Sequence, residues 1–227
     1  MTVRTPGAWS YSGIKNYETC PLKYCAEKVT KEIPFTDTEA SLYGKELHLA
    51  AEEYIRDGKP IPPQFSQFQD VADMLKAIPG EKLCEYKMGL TKDIQACGFF
   101  DDNVWFRGVA DLVIVNGETA RVIDYKTGKS SEYADVKQLE LMALAIFKHF
   151  PKVRKVKAGL VFLVCNDFVK ADFEKKDAPL TWVKWIQETD RLQASHDNDV
   201  WNAKPNFTCR KFCLVKSCEH NGKGHYR

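Results

Sequence analysis

Two apolar runs joined through Asn-Gly constrain this chain more than any other feature. They are Gly108-Val109-Ala110-Asp111-Leu112-Val113 and, past Asn116-Gly117, Val122-Ile123-Asp124-Tyr125-Lys126-Thr127-Gly128. Such a pair predicts a β-hairpin. Both strands are apolar on both faces, which places the hairpin centrally in a sheet covered on each side. With Asn116-Gly117 as a two-residue turn, positions summing to 233 face each other, so Asp111 sits opposite Val122 and Asp124 opposite Val109. Asp111 and Asp124 become diagonal neighbours on one face, roughly 7–8 Å apart at the backbone. Two carboxylates there can close on one hard cation. Lys126, two residues beyond Asp124, shares their face of the pleat. Burying three charged groups in a Val/Ile/Leu-rich sheet is costly unless they are paired or metal-bound.

Around the hairpin the chain alternates in kind. The opening segment to about Lys31 reads as helical and irregular, with Ser10 or Ser12 as a cap. A helix from about Thr38 to Asp57 carries the stripe Ala40, Tyr43, Leu47, Ala51, Tyr54; Thr36-x-x-Glu39 offers a capping box and Gly58 with Pro60 ends it. A second helix covers Ser66 to Ile78. Strands follow at about Cys84–Leu90, Ile94–Phe99, Val104–Val115 and Thr119–Lys126, then a helix Asp135–Phe150, a buried strand Val156–Cys165, and a last helix from Leu180 to about Trp201. This is an α/β layout around a mixed sheet. A chain of 227 residues fits one domain over 1–227, in which 1–31 and 202–227 form a cysteine-bearing subregion.

Composition narrows the class. With 44% hydrophobic and 28% charged residues the chain can build a real core, and no run reaches the ~18 apolar residues of a membrane span. The start, Met1-Thr2-Val3-Arg4-Thr5-Pro6, lacks the apolar stretch of a signal peptide, so the expected location is the cytoplasm, the host cytoplasm for a viral protein. Net charge is only +2, but Lys148–Lys157 holds five Lys/Arg and no acid, and residues 202–227 hold six against Glu219 alone. Either stretch can face a polyanion or be a solvated edge.

Eight cysteines are unevenly spread. Cys25, Cys84, Cys97 and Cys165 stand singly and read as small buried hydrophobes. Cys209, Cys213 and Cys218, packed into ten residues, read as ligands of a metal or a cluster.

Metal-dependent phosphodiester cleavage needs carboxylates for the cation and a further positive group near the nucleophile or the developing charge. Asp111, Asp124 and Lys126 supply these. His48 lies on the shoulder of the first long helix, one turn after Gly44, where the missing side chain leaves space for the imidazole. Gln138 begins the apolar stripe of the helix after the hairpin and can orient Lys126 or a substrate phosphate. Glu85 opens a strand in the same region and reads as a supporting residue.

Taken together, Gly44-x3-His48, Gly108-Val109-Ala110-Asp111, Asp124-Tyr125-Lys126-Thr127-Gly128 and Gln138 resemble the RecB-like branch of the PD-(D/E)XK nuclease superfamily. The segment Ser10-Tyr11-Ser12-x4-Tyr17-x2-Cys20-Pro21-x2-Tyr24 looks like the opening of that branch, and the likeness spans almost the whole chain. The resemblance implies a restriction-endonuclease-like core with the N- and C-terminal segments joined at a cysteine cluster. It implies His48, Asp111 and Asp124 as Mg²⁺ or Mn²⁺ ligands with the Tyr125 carbonyl, Lys126 as catalytic lysine and Gln138 as its assistant. Family members often carry a tyrosine four residues after that glutamine; here it is Met142. Stand-alone CRISPR-associated and phage-encoded iron–sulfur exonucleases of this branch carry one N-terminal and three C-terminal cysteines. Cys20 with Cys209, Cys213 and Cys218 matches that plan, in the spacing C-x3-C-x4-C rather than C-x2-C-x5-C. A [4Fe–4S] cluster is implied, with Zn²⁺ as the alternative. A closure 189 residues long is worth about 5 kcal/mol on the chain-entropy formula.

The implied activity is exonucleolytic hydrolysis of single-stranded or frayed DNA ends in recombination, replication or repair. No G-x-x-x-x-G-K-[ST] loop is present, so unwinding falls to a helicase or recombination partner. A catalytically inactive DNA-end or partner-binding module, or an endonuclease or RNase, are the competing readings on the same fold.

Overall fold

The computed structural model describes residues 7–132 and 134–223. In chain order it contains α1 (Tyr11–Thr19), α2 (Pro21–Tyr24), a π turn (Cys25–Val29), α3 (Glu39–Asp57), a 3-10 turn (Pro63–Phe68), α4 (Gln69–Ala77), β1 (Glu81–Thr91), β2 (Ala96–Cys97), β3 (Val104–Asn116), β4 (Thr119–Lys126), α5 (Lys137–His149), β5 (Lys155–Phe162), β6 (Asp167–Glu174) and α6 (Ala178–Asn198). Two compact units result: residues 37–182, and residues 1–36 with 183–227, of which 7–36 and 183–223 are described.

The first unit is a mixed sheet flanked by helices, ordered β2-β1-β3-β4-β5-β6, with β4 and β5 parallel and every other pair antiparallel. The hairpin strands β3 and β4 sit at its centre, as their sequence predicts. Consecutive Leu112, Val113 and Ile114 are all fully buried; successive side chains point to opposite faces, so both faces are covered. One cover is α3 with α4, whose Leu47, Ala51, Ile55 and Leu75 pack with Leu112, Ile114, Ile123 and Val161. Each such side chain contributes about 1.5–3 kcal/mol on burial. Helix α5, buried from Leu141 through Phe147, contributes nothing to that cluster and covers the other face.

Several boundaries differ from the sequence reading. The hairpin turns at Gly117-Glu118, and Asn116 pairs with Thr119, so facing positions sum to 235 rather than 233. Gly117, at φ 59, supplies the left-handed first turn residue that hairpins favour. The cap of α3 is Thr38, exchanging hydrogen bonds with Ser41, not Thr36 with Glu39. The expected helix Ser66–Ile78 splits into the 3-10 turn and α4, and the expected strand Ile94–Phe99 shrinks to β2, because Ile94 adopts φ 57. Strand β6 has no counterpart in the sequence reading: Asp167–Glu174 alternates weakly and forms the sheet edge, where exposure hides the pattern. Helix α6 ends at Asn198 rather than about Trp201. Among the described residues no helix is long and apolar enough to cross a membrane.

The second unit gathers both chain ends. Ser10 caps α1, its hydroxyl accepting from the Gly13 N–H. Tyr24 stacks on Trp201, whose ring meets His196 edge-on at 4.8 Å. Tyr17 shares a hydroxyl hydrogen bond with Ser195 at 2.7 Å. The Asn206 side chain donates to the Thr19 carbonyl, and Lys204 donates to that of Glu18.

Candidate active site

The site lies where β3 and β4 stop pairing. Their ladder reaches Leu112 and Ile123; Asp111 and Asp124 are next in the same register, so they face each other directly rather than diagonally. Asp111 Oδ2 accepts from the Tyr125 N–H at 2.6 Å, so a side chain takes the place of a ladder carbonyl. Its Oδ1 faces His48 Nδ1 of α3 at 3.3 Å. The His48 ring also meets Tyr125 edge-on at 5.6 Å.

Glu85 of β1 completes a donor group. On either side of it the β1–β3 pairing keeps one register, Cys84 with Leu112 and Tyr86 with Ala110, yet Glu85 and Asp111 are missing from the ladder. Glu85 has φ 48, a left-handed conformation costing a non-glycine residue about 1–3 kcal/mol. The effect is visible on its neighbours. Cys84 packs with the α3 cluster, whereas Tyr86 meets His149 and Phe150 at the end of α5. In a regular strand these two would share a face. The turned residue sends its carboxylate toward His48 and Asp111, and the three ligand atoms lie within 4.8 Å of one another. The sequence reading gives Glu85 only a supporting role, because alternation carries no sign that a strand reverses its faces at one residue.

Asp124, Lys126 and Gln138 form a second, closed group. Lys126 Nζ lies 2.6 Å from Asp124 Oδ2 and donates to Gln138 Oε1 at 2.9 Å, while Gln138 Nε2 donates to Asp124 Oδ1. Asp124 is buried, and Lys126 and Gln138 are its charge and hydrogen-bond partners. Tyr125, between them, offers its N–H to Asp111; its buried hydroxyl has no partner among the described residues.

Electrostatics tie the groups together. Burial, then the charge of Asp111, raises the Asp124 carboxyl, with Lys126 opposing. Burial and Asp111 likewise raise Glu85. Burial pulls His48 down, but the hydrogen bond and charge of Asp111, with Asp124 and Glu85, outweigh it and leave the imidazole raised. The site is short of positive charge, which a divalent cation supplies. Two carboxylates and an imidazole form a donor set for a divalent metal ion.

Other expectations need correction. The space at Gly44 does not serve His48: a side chain there would meet Thr127 Oγ1 at 3.5 Å. Lys155, in the basic stretch 148–157, is paired with Asp172 at 2.8 Å and Glu174 at 3.5 Å, because β6 brings acids alongside. Cys25 is buried as expected, Cys84 and Cys97 are half-buried, and Cys165 is exposed. In the terminal unit, Cys20, Cys209, Cys213 and Cys218 line one cavity with His220 beside them. The Lys204 N–H points at Cys20 Sγ and the Asn206 N–H at Cys209 Sγ, each at 3.4 Å.

A family model for the PD-(D/E)XK nuclease superfamily matches residues 8–94 and 72–218. This chain belongs to that superfamily. Two solved structures share the fold. The crystal structure of SSO0001 is 15% identical, with a TM-score of 0.51 over 95% of this chain and 88% of that one. A Eubacterium rectale protein described as "Putative exonuclease" is 13% identical, with a TM-score of 0.53 over 94% and 88%. No curated protein matches the sequence significantly.

Proposed function

We propose that this chain is a Mg²⁺- or Mn²⁺-dependent DNA exonuclease of the RecB-like branch, acting on single-stranded or frayed ends in recombination, replication or repair. The observation that carries this reading is the meeting of a charge-deficient donor group, His48–Glu85–Asp111, with the closed group Asp124–Lys126–Gln138. His48, Glu85 and Asp111 would hold the cation, with Asp124 and the Tyr125 carbonyl as further donors. When bound it would supply Lewis-acid polarisation of a phosphoryl oxygen and a lowered pKa for water. Lys126 sets an ammonium beside the attacking water and the developing charge, and Gln138 fixes that ammonium through its Oε1. The aspartate that faces Lys126 holds the ammonium in place until a phosphate competes for it. A cytoplasmic setting, DNA as the bound partner and a separate helicase or recombination protein for unwinding belong to the same reading. The Eubacterium rectale neighbour's description favours exonuclease over endonuclease.

The cysteine cavity is proposed to hold a [4Fe–4S] cluster, with Cys20, Cys209, Cys213 and Cys218 as its ligands. The four line one cavity, and a cysteine tetrad suits an iron–sulfur cluster, with Zn²⁺ as the alternative. Anaerobically purified protein should be brown and contain iron and sulfide; stoichiometric zinc without iron overturns the cofactor.

DNA labelled separately at each end, single-stranded and duplex, tests the activity with Mn²⁺ and with EDTA. Stepwise loss from one end of single strands, abolished by EDTA and by Lys126→Ala, is expected. Tight binding without cleavage leaves an inactive binding module, internal fragments an endonuclease, and cleavage of RNA alone an RNase.

A further inference from the structure

Away from the acids, the β1–β3 pair carries a feature the metal chemistry does not use. Lys87 on β1 and Arg107 on β3 approach the same two rings, Phe99 and Phe100. Lys87 Nζ lies 5.9 and 5.6 Å from the ring centres, and the Arg107 guanidinium carbon lies 5.4 and 6.0 Å from them. The rings meet edge-on at 5.0 Å. Phe100 is 75% exposed, among the highest values for any large apolar side chain here. Among the described residues neither cation has a carboxylate within ion-pair distance, and Arg107 Nε is buried without a hydrogen-bond partner. The nearest acid in the loop, Asp101, is used within it: its Oδ2 accepts from the Gly98 N–H at 2.7 Å.

The loop holding the rings is fixed. Besides that hydrogen bond, the Asp101 N–H donates to the Gly98 carbonyl and the Val104 N–H to the Asp101 carbonyl. A side chain at Gly98 would strike the Asp101 carboxylate, and one at Gly89 would strike the Gly98 carbonyl at 2.6 Å. Only glycine permits this close approach of the turn to β1. An exposed phenyl ring on a rigid turn is a platform, and base–aromatic stacking needs a π-face without regard to sequence.

Lys87 follows Glu85 by two residues and Arg107 precedes Asp111 by four. At ~3.3 Å per residue these cations stand about 7 and 13 Å along their strands from the proposed metal donors. Glu85 feels the Lys87 charge directly. We infer that Phe100 with Phe99, Lys87 and Arg107 forms a single-strand shelf that feeds the cleavage site: a splayed base stacks on Phe100, and its flanking phosphates meet Lys87 and Arg107. The interior of a duplex is excluded as the ligand of this shelf, because its bases are stacked on one another and offer no free face. The inference rests on the nuclease reading proposed above.

Fluorescent oligothymidine and a covalently closed circular duplex, titrated in EDTA so that no probe is consumed, test it on the full chain. Phe100→Ala should weaken single-strand binding about 5- to 150-fold and leave closed-duplex binding unchanged. Phe100→Trp should bind like wild type. The double change Lys87→Ala with Arg107→Ala should reduce the salt slope by about 1.4, at ~0.7 for each phosphate no longer neutralised. The Mn²⁺-induced thermal shift should persist in every variant, since none touches the donor group. If the wild-type protein cleaves and binds single strands but Phe100→Ala binds as tightly, the shelf falls and the nuclease reading stands. Equal losses on single strand and duplex overturn the shelf as well. If the wild-type protein neither binds nor cleaves, both fall together.

Discussion

The sheet unit and the terminal unit each gather reactive side chains, but by opposite means. In residues 37–182 the donors ride on α3, β1, β3, β4 and α5, elements that already bury a large apolar core between them. In the terminal unit the buried aliphatic side chains among the described residues are Ile14, Leu192 and Val215; the rest are mainly aromatic rings, alanine and thiols. A cation at the first site therefore adds chemistry to a fold that stands without it. The ligation proposed at the second would join residues 189 positions apart and so contribute to the fold itself.

The largest test of this contrast is catalytic. Asp111→Ala or Lys126→Ala should lower the rate of DNA cleavage by about 10³-fold or more. Cleavage at the wild-type rate by Asp111→Ala in metal-defined buffer would remove the hairpin from the chemistry. Next comes the reverse experiment. Cys213→Ala should cost up to about 5 kcal/mol, or roughly 10–20 °C in melting temperature for a chain of this size, whereas Cys165→Ala, at an exposed position, should cost almost nothing. Equal melting temperatures for the two variants would erase the distinction between the units.

The two units should also answer pH with opposite signs. Glu85 and Asp124 are raised by burial and by Asp111, so the stability they lend is complete below the ordinary carboxylate range. It is lost as pH climbs through their raised values, and Mn²⁺ should restore it. His196 is lowered by burial among Tyr24, Trp201 and Trp9. Its contribution is present above the usual histidine range and is lost as pH falls through the lowered value. Thermal melts of apo protein should thus show a Mn²⁺ shift that is larger in mildly alkaline than in mildly acidic buffer. Acid should loosen the rings around His196, read by tryptophan fluorescence. A Mn²⁺ shift independent of pH would separate the carboxylates from the metal. The smallest effect belongs to Gly44→Ala. Thr127 at 3.5 Å is an ordinary contact, so the variant should be neutral or stabilised by up to about 1 kcal/mol through helix propensity. A clear loss would mean that α3 needs closer access to the site than its backbone shows.

Much of this was legible in the sequence because it obeys a period. The hairpin, the stripe of α3 and the buried run of α5 each repeat an apolar pattern that states which face is covered. Asp111, Asp124 and Lys126 stood out as charges interrupting that pattern, and Gln138 by its place at the head of α5. What stayed hidden breaks a period instead. Glu85 reverses the faces of β1 through a single backbone angle, which no residue type announces. The hairpin register slipped because Asn-Gly fits two neighbouring turn positions equally well in composition, and only strand pairing chooses Gly117-Glu118. Strand β6 carries little apolar signal because an edge strand faces water. Its acids in turn pair with Lys155, so one charge of the basic run is met by acids that lie far along the chain.

The division of the chain into 37–182 and its two flanks has a consequence for synthesis. The sheet unit is contiguous, so it can fold as soon as its last strand leaves the ribosome. Residues 7–36 emerge before it, whereas their partners in 183–223 emerge after it. At ~5–20 residues per second, Cys20 waits roughly 10–40 s for Cys209. For that interval it lacks the cysteines with which it lines a cavity, so the terminal unit matures after the sheet unit.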